Sequence, residues 1–310
     1  MQPLVHIIIL NWNDYKKTIS CIKSLDSLKY HNFETIVIDN GSTNESIEIL
    51  SQSSNIELKC NSTNLGFTGG NNGAMEEAIN TGADYVWLLN NDATVEPDCL
   101  DKLVNAAEND KNIGLLSPVI YEAGTTDKIQ NCGTCFDLSK LMMEETTDIL
   151  ISQQWQKETP YNIILWGTAL LIPKHTIKSI GTLDERFFAY AEDLDYSIRS
   201  AKAGYKNITV YDAKIWHEGH TGHRKPYYYY YTNRNSLFLW KKHLGFTQYI
   251  KRAWWNIDRT NKRMADLNNQ PELISACVLG CWDGLCGVGG EFNSARNVNK
   301  FIKKIFSMLS

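Results

Sequence analysis

Val5-His6-Ile7-Ile8-Ile9-Leu10, running into Asn11-Trp12-Asn13-Asp14, is the stretch from which the fold can be read. Its nearly continuous apolar character fits a strand buried on both faces, the mark of a parallel sheet. The polar residues end it abruptly, and Asp14 stands where it can cap a helix with Ile19, Ile22, Leu25 and Leu28 at helical spacing. The same alternation continues outward. Thr35-Ile36-Val37-Ile38-Asp39 is a second buried strand, followed by a helix near 44–50 and a short strand near 56–58. The spacing predicts a helix over 71–81 entered through a glycine-rich loop, and Tyr85-Val86-Trp87-Leu88-Leu89 predicts another strand. A helix over 97–110, with Pro97 at its start, and a strand over 113–117 come next. Strands alternating with helices at this pace imply βαβ units, an α/β fold and a mostly parallel sheet.

Periodicity fades over 120–160, where loops and an irregular hairpin are expected. Residues 163–172 read as one core strand ended by Pro173, residues 193–204 as a helix and 208–211 as a strand. From 226 onward the chain turns to aromatic and basic helices, over 233–243 and 246–255. The expected division is a first domain over 1–225 and a helical C-terminal region over 226–310.

The chain has 310 residues, 43% hydrophobic and 21% charged, which excludes disordered, collagen-like and low-complexity classes. No run of about 18 apolar residues occurs, so no membrane-spanning helix is expected. Met1-Gln2-Pro3-Leu4 lacks the basic start of a secretory signal, and a cytoplasmic protein is the expectation. The net charge of −4 hides an asymmetry: residues 221–310 carry 14 Lys/Arg against 5 Asp/Glu, the first 220 carry 17 against 30. A basic end suits an anionic partner or is simply a solvated helical face. The eight cysteines include one lone Cys132-Gly133-Thr134-Cys135, without the second pair that a zinc site needs, so free thiols are expected.

In open α/β sheets ligands bind beyond the carboxyl ends of the strands. Here the strands end in Asn11-Trp12-Asn13, Asp39-Asn40-Gly41-Ser42, Asn64-Leu65-Gly66-Phe67-Thr68-Gly69-Gly70-Asn71-Asn72 and Asn90-Asn91-Asp92. One such turn is ordinary turn chemistry; four converging on one edge point to a ligand. No G-x-G-x-x-G follows the first strand and no Walker A sequence occurs, so dinucleotide cofactors and P-loop enzymes are excluded. An Asp at the second strand tip can accept hydrogen bonds from a base or ribose, and glycines let backbone N–H groups approach a phosphate. Asp92 is either a turn residue or a ligand of a divalent metal, which needs only one or two protein carboxylates beside substrate phosphates. His217, after a strand-like segment, is either a satisfied structural residue or a second ligand. Glu192-Asp193-Leu194-Asp195 opens a helix after an aromatic run. Dipole compensation explains one acid there; an acid in an apolar cleft can also serve as a general base.

Together and in this order, these elements resemble glycosyltransferase family 2, inverting enzymes with the GT-A fold. The resemblance covers roughly residues 4–245, and the Asn64-Leu65-Gly66-Phe67…Gly70-Asn71-Asn72 and Arg234-Asn235 segments look most like bacterial rhamnosyltransferases. It implies that Asn11, Asn13, Asp39, Asn40, Gly41 and Asn91 meet the nucleotide and that Asn64, Gly66 and Asn71 line the donor pocket. Asn90-Asn91-Asp92 stands where the family has Asp-x-Asp, which leaves Asp92 and His217 as ligands for Mg²⁺ or Mn²⁺. Asp193, with Glu192 as the alternative, would be the base, and Asp195 a helix or acceptor-side residue. The implied donor is a dTDP- or UDP-sugar and the acceptor a glycan or lipid-linked glycan of surface polysaccharide assembly. Two rivals are a nucleotidyltransferase, which usually carries a glycine- and lysine-rich loop after the first strand, and a non-catalytic nucleotide-sugar-binding module on the same scaffold. The basic and aromatic end, with Lys241, Lys242, Lys251 and Arg252, suits an anionic membrane surface, so peripheral attachment at the inner face of the membrane is expected. No nucleic-acid-binding signature occurs.

Overall fold

The computed structural model describes residues 2–138, 142–219, 224–267, 270–296 and 298. The chain divides into two compact units, Met1–Leu183 with Asp193–Gly219, and Asp184–Glu192 with His220–Ser310.

The first unit begins with β1 (Val5–Asn11), α1 (Tyr15–Leu25), β2 (Phe33–Asp39), α2 (Ser46–Leu50), β3 (Glu57–Cys60) and α3 (Gly66–Thr81). It continues through β4 (Tyr85–Asn90), β5 (Ala93–Val95), α4 (Cys99–Asn109), β6 (Ile113–Glu122) and β7 (Ile129–Asn131). Then come β8 (Gly133–Asp137), β9 (Met142–Thr146), α5 (Ile149–Glu158), β10 (Ile163–Ile164), β11 (Ala169–Pro173), α6 (Lys174–Ile180), α7 (Glu192–Lys202) and β12 (Lys206–His217). The main sheet has the order β3-β2-β1-β4-β11-β6-β12-β5, with β7 on β6. The pairs β1–β2, β2–β3, β1–β4 and β6–β12 are parallel; β11 is antiparallel to both β4 and β6, and β5 to β12. The unit is thus a mixed α/β sheet in which most long strands point one way.

Side-chain alternation builds two cores. Val5, Ile7 and Ile9 of β1, with Tyr85, Trp87 and Leu89 of β4, face α1 and α4. Ile8, Val86 and Leu88 face the other way, toward Ala74, Met75 and Ala78 of α3 and Tyr196 of α7. Each fully buried Ile or Leu contributes about 1.5–3 kcal/mol, which is why the central strands are apolar on both faces.

The structure corrects four local expectations. Asp14 sits at the N-cap of α1 but its side chain makes no capping bond; it pairs with Lys17 at 3.6 Å. The glycine-rich stretch is the first turn of α3 rather than a loop. A Cβ on Gly70 would lie 2.6 Å from Leu10 Cδ1, so glycine brings this helix onto the end of β1. Residues 163–172 form two strands broken at 165–168, not one. Within 120–160 the expected hairpin is present as antiparallel β8 and β9, which β10 extends to a three-stranded sheet, but the region also holds the ten-residue helix α5, whose Asp148 cap accepts from Leu150 N–H at 2.8 Å.

The second unit contains α8 (Pro226–His243), α9 (Phe246–Asp266) and α10 (Pro271–Cys286). Its core gathers Tyr230, Tyr231, Leu237, Ile257, Ala276 and Leu279. Gly280 lets α10 touch α8: a Cβ there would lie 2.3 Å from the Tyr230 carbonyl oxygen. All eight cysteines are free, five of them buried. Among the described residues no helix is long and apolar enough to cross a membrane.

Candidate functional site

The chain runs β1-β2-β3 to one side and then crosses back to place β4 on the other side of β1. This is a topological switch point, where the strand ends leave a crevice. Asn11 and Asp39 end their strands in register. Both are fully buried, and Asn11 Nδ2 donates to Asp39 Oδ2 at 2.7 Å. Ser42 N–H donates to Asp39 Oδ1 at 2.8 Å, which curls the loop after β2 around the carboxylate. Asn13, with φ 56, donates its N–H to Ser42 Oγ and accepts from Thr43 N–H, both at 2.8 Å. Gly41, at φ +75, comes so close to the next loop that a Cβ would meet the Thr63 carbonyl carbon at 2.6 Å. Only glycine fits there.

Asn40 is buried and ties that loop together. Its amide donates to Asn64 Oδ1 at 2.9 Å and to the Gly66 carbonyl at 3.0 Å, and its oxygen accepts from Leu65 N–H at 3.1 Å. Asn71 is also buried, and its amide donates to the Phe67 carbonyl at 2.7 Å. Trp12 stands beside this edge, 51% exposed.

Across the crevice, Thr18 of α1 donates to Asn11 Oδ1 at 2.7 Å and accepts from Asn91 Nδ2 at 3.0 Å, joining the ends of β1 and β4. Asp92 lies one residue on, and its Oδ1 is 3.1 Å from Nε2 of His217 at the end of β12. Burial alone would raise the Asp92 carboxyl, but His217 and Lys17 outweigh it and hold the group below the usual carboxylate range. His217 Nδ1 lies 2.7 Å from Gln130 Oε1, which can only accept, so this nitrogen carries the proton. The lone pair of Nε2 then faces a carboxylate oxygen, and a proton or a cation belongs between them. The donor set of one carboxylate and one oriented imidazole fits a divalent ion that shares its shell with a diphosphate. Among the described residues no group of three or more His, Cys, Asp or Glu adds to it.

Asp193 is bonded to this edge through the chain. Gly167 N–H donates to Asp193 Oδ2 at 3.1 Å, and the neighbouring Thr168 carbonyl accepts from Asn90 N–H at 2.9 Å. Part of the Asp193 surface stays open, yet the protein crowding the carboxyl strips water from it and raises it above the usual range. The N–H groups of Gly167 and Leu194 oppose that shift without cancelling it. Glu145 on β9 is likewise raised, first by loss of water and then by the charge of Asp193. Asp195 is buried and bonds Arg199 at 2.8 Å, one helical turn on. Glu192 is buried at the start of α7 and counts with the second unit.

Thr18, Gln130, Gly167 and Glu145 carry no signal of their own in the sequence. Thr18 hides in an amphipathic helix and Gly167 in an apolar run.

Residues 6–163 match the family described as Glycosyl transferase family 2, and residues 85–260 match Glycosyl transferase family group 2. The chain is 21% identical over 308 residues to "dTDP-rhamnosyl transferase RfbF" of Shigella flexneri, covering 95% of this chain and 100% of that protein. It is 25% identical over 249 residues to the "N-acetylglucosaminyl-diphospho-decaprenol L-rhamnosyltransferase" of Mycobacterium tuberculosis, covering 71% and 76%. Among solved structures it resembles S. aureus TarS 1-349 in complex with UDP, with TM-score 0.55, 14% identity and coverage of 91% and 81%. It also resembles GalNAc-T7 with UDP, GalNAc and Mn2+, with TM-score 0.58, 16% identity, 73% of this chain and 46% of that one. At these identities the structural likeness speaks for the fold.

Proposed function

Because the chain belongs to glycosyl transferase family 2, we propose that it is an inverting rhamnosyltransferase that moves rhamnose from dTDP-rhamnose to a hydroxyl of a lipid-linked glycan. The observation that carries this reading is the end-to-end match to a dTDP-rhamnosyl transferase, over 95% of this chain and 100% of that protein. In this reading Asn11 and Asp39 bind the nucleotide. Asp92 and His217 hold Mg²⁺ or Mn²⁺, with imidazole favouring Mn²⁺. The ion, when bound, supplies Lewis-acid neutralisation of diphosphate charge. Asp193 takes the proton of the acceptor hydroxyl as its oxygen bonds to the anomeric carbon. The bond to the diphosphate breaks on the opposite face, and the diphosphate leaves with the electron pair.

The test is release of dTDP from dTDP-rhamnose by the purified protein with a polyprenyl-diphosphate N-acetylglucosamine acceptor, beside UDP-sugars. Rhamnose-dependent dTDP release with a matching gain in acceptor mass is expected. Turnover of UDP-sugars alone would overturn the donor. Release of pyrophosphate from dTTP and a sugar phosphate would make the chain a nucleotidyltransferase. Donor binding without turnover would favour the binding module.

A membrane role at the inner face of the cell is supported by one observation. Phe246, Ile250 and Trp254 of α9, four residues apart, are 78%, 38% and 52% exposed. Exposed Lys251 lies on the same helix, and exposed Lys241 lies on α8. An amphipathic helix with cations beside an apolar stripe suits an anionic lipid surface. Two of the four cations in the sequence-based reading have other partners: Lys242 bonds Asp184 at 2.7 Å, and Arg252 lies over the rings of Trp240 and Trp255 at 5.3 and 5.4 Å. The variant Phe246→Ser/Ile250→Ser should lose binding to phosphatidylglycerol vesicles that the unaltered protein binds at low salt. Equal binding by both would end this reading.

A further inference from the structure

Three of the four residues ahead of the acid pair hold a backbone that side chains avoid. Phe188 has φ 63 and ψ −61, Tyr190 has φ 70 and Ala191 has φ 67. None is glycine. Phe188 centres a γ-turn in which Ala189 N–H donates to the Phe187 carbonyl at 2.7 Å. The form with positive φ is the uncommon and strained one. Such conformations persist only where the surroundings over-determine them, and they gather at functional sites.

The surroundings are two consecutive side chains of α8, both with no exposed surface. Asn235 Nδ2 lies 2.9 Å from the Phe187 carbonyl and 2.7 Å from those of Ala189 and Tyr190. Arg234 donates to the carbonyls of Phe187 at 2.8 Å, Arg186 at 3.2 Å and Gly290 at 2.5 Å. Its Nε donates to Asn235 Oδ1 at 2.9 Å, which fixes the amide with its hydrogens toward the segment. The rings of Tyr230, Tyr231 and Phe238 surround the guanidinium at 5.0–5.4 Å. Phe188 stacks on Tyr231 with centroids 5.4 Å apart.

A cation buried among rings, whose hydrogen-bond acceptors are neutral carbonyl oxygens, is a costly way to hold two segments together. Apolar side chains of similar volume would do so more cheaply. What the cation and amide supply, and apolar groups cannot, is a fixed direction for each carbonyl of the segment. The next residue after Ala191 is Glu192, where α7 begins.

We propose that Arg234 and Asn235 are positioning residues for sugar transfer: they hold residues 187–191 in their strained path and so aim the acidic start of α7. This rests on the reading of Asp193, or Glu192, as the base. Misplacing a reacting group by about 1 Å can cost about 10²-fold in rate.

The test uses the full chain with dTDP-rhamnose and the acceptor above. Asn235→Ala should lower kcat by about 10²-fold, leave the donor KM within about two-fold, and speed amide hydrogen exchange across 186–193. Adding Ala191→Gly should recover much of the lost kcat, because glycine adopts φ 67 without side-chain strain. Ala191→Val, which leaves α8 intact, should reproduce the fall in kcat at unchanged donor KM. The proposal is overturned if kcat is unchanged, if kcat, donor affinity and Tm all fall together, or if the glycine gives no recovery. Should the unaltered protein transfer no sugar at all, the proposed reaction fails on its own. The exchange arm then still decides: equal protection across 186–193 in the unaltered and Asn235→Ala proteins would remove the brace.

Discussion

The chain holds two polar clusters, one in each unit, that bond in opposite ways. In the first, Asn11, Thr18, Asp39 and Asn91 stand at strand ends or beside them and bond to one another's side chains. In the second, Asn233, Arg234 and Asn235 sit in mid-helix, all without exposed surface, and donate mainly to main-chain carbonyls. The first pattern fixes side chains relative to each other at the crevice beyond the strand ends. The second fixes the path of the backbone. The contrast teaches that a buried polar residue is not evidence for a binding site until its partners are known.

The sharpest break in that contrast is at Asp193. Asp193→Asn should keep the fold and donor binding yet lose about 10²–10⁴ in turnover. In the proposed reaction the ionised form acts as the base, and burial raises this carboxyl. Turnover should therefore fall, as pH drops, at a pH above the usual carboxylate range. A pH–rate profile whose acid limb vanishes in Asp193→Asn checks this; an unchanged rate would reduce the cluster to a helix cap. Next in size is Gln130→Ala, which frees the His217 ring. It should cost about 10–10² in Mn²⁺ affinity or activity, read by metal titration of the rate.

The smallest effect belongs to the helical unit. Asp184 is partly buried, which would raise its carboxyl, but Arg186 and Lys242 hold it well below the usual range. A lowered pKa in the folded state means stability that is present above the ordinary carboxylate pKa and is lost as pH falls through the folded one. Lys242→Ala should cost about 1 kcal/mol at neutral pH and progressively less in acid, measured by denaturant melts at several pH values.

Much of the site edge was legible because an apolar run buried on both faces has a definite end, and the residue after it must face the sheet edge. That logic reaches Asn11, Asp39, Asp92 and His217. It does not reach Gln130, which meets His217 from 87 residues away, or Gly167, whose apolar neighbours made 163–172 look like one strand. The α5 helix leaves no clear helical period in the sequence because Leu150 and Ile151 are exposed, 74% and 43%. Glycine disfavours a helix by about 1 kcal/mol per residue, so 66–70 read as a loop; contact with Leu10 outweighs that propensity. The strained turn at 187–191 is invisible locally, since the side chains that hold it lie 45–48 residues further on.

Strand β11 runs against its neighbours and so begins at the edge where they finish. Its approach, residues 165–168, delivers the Gly167 N–H to Asp193 and the Thr168 carbonyl to Asn90. Chain length there is consequently a chemical variable. One residue more or fewer would displace the Gly167 N–H and the Thr168 carbonyl from these partners. Libraries meant to alter sugar preference should vary side chains in 165–168 at constant length. Insertions and fusions belong at the opposite rim, in the exposed turn that follows α3 at Thr81 and Gly82.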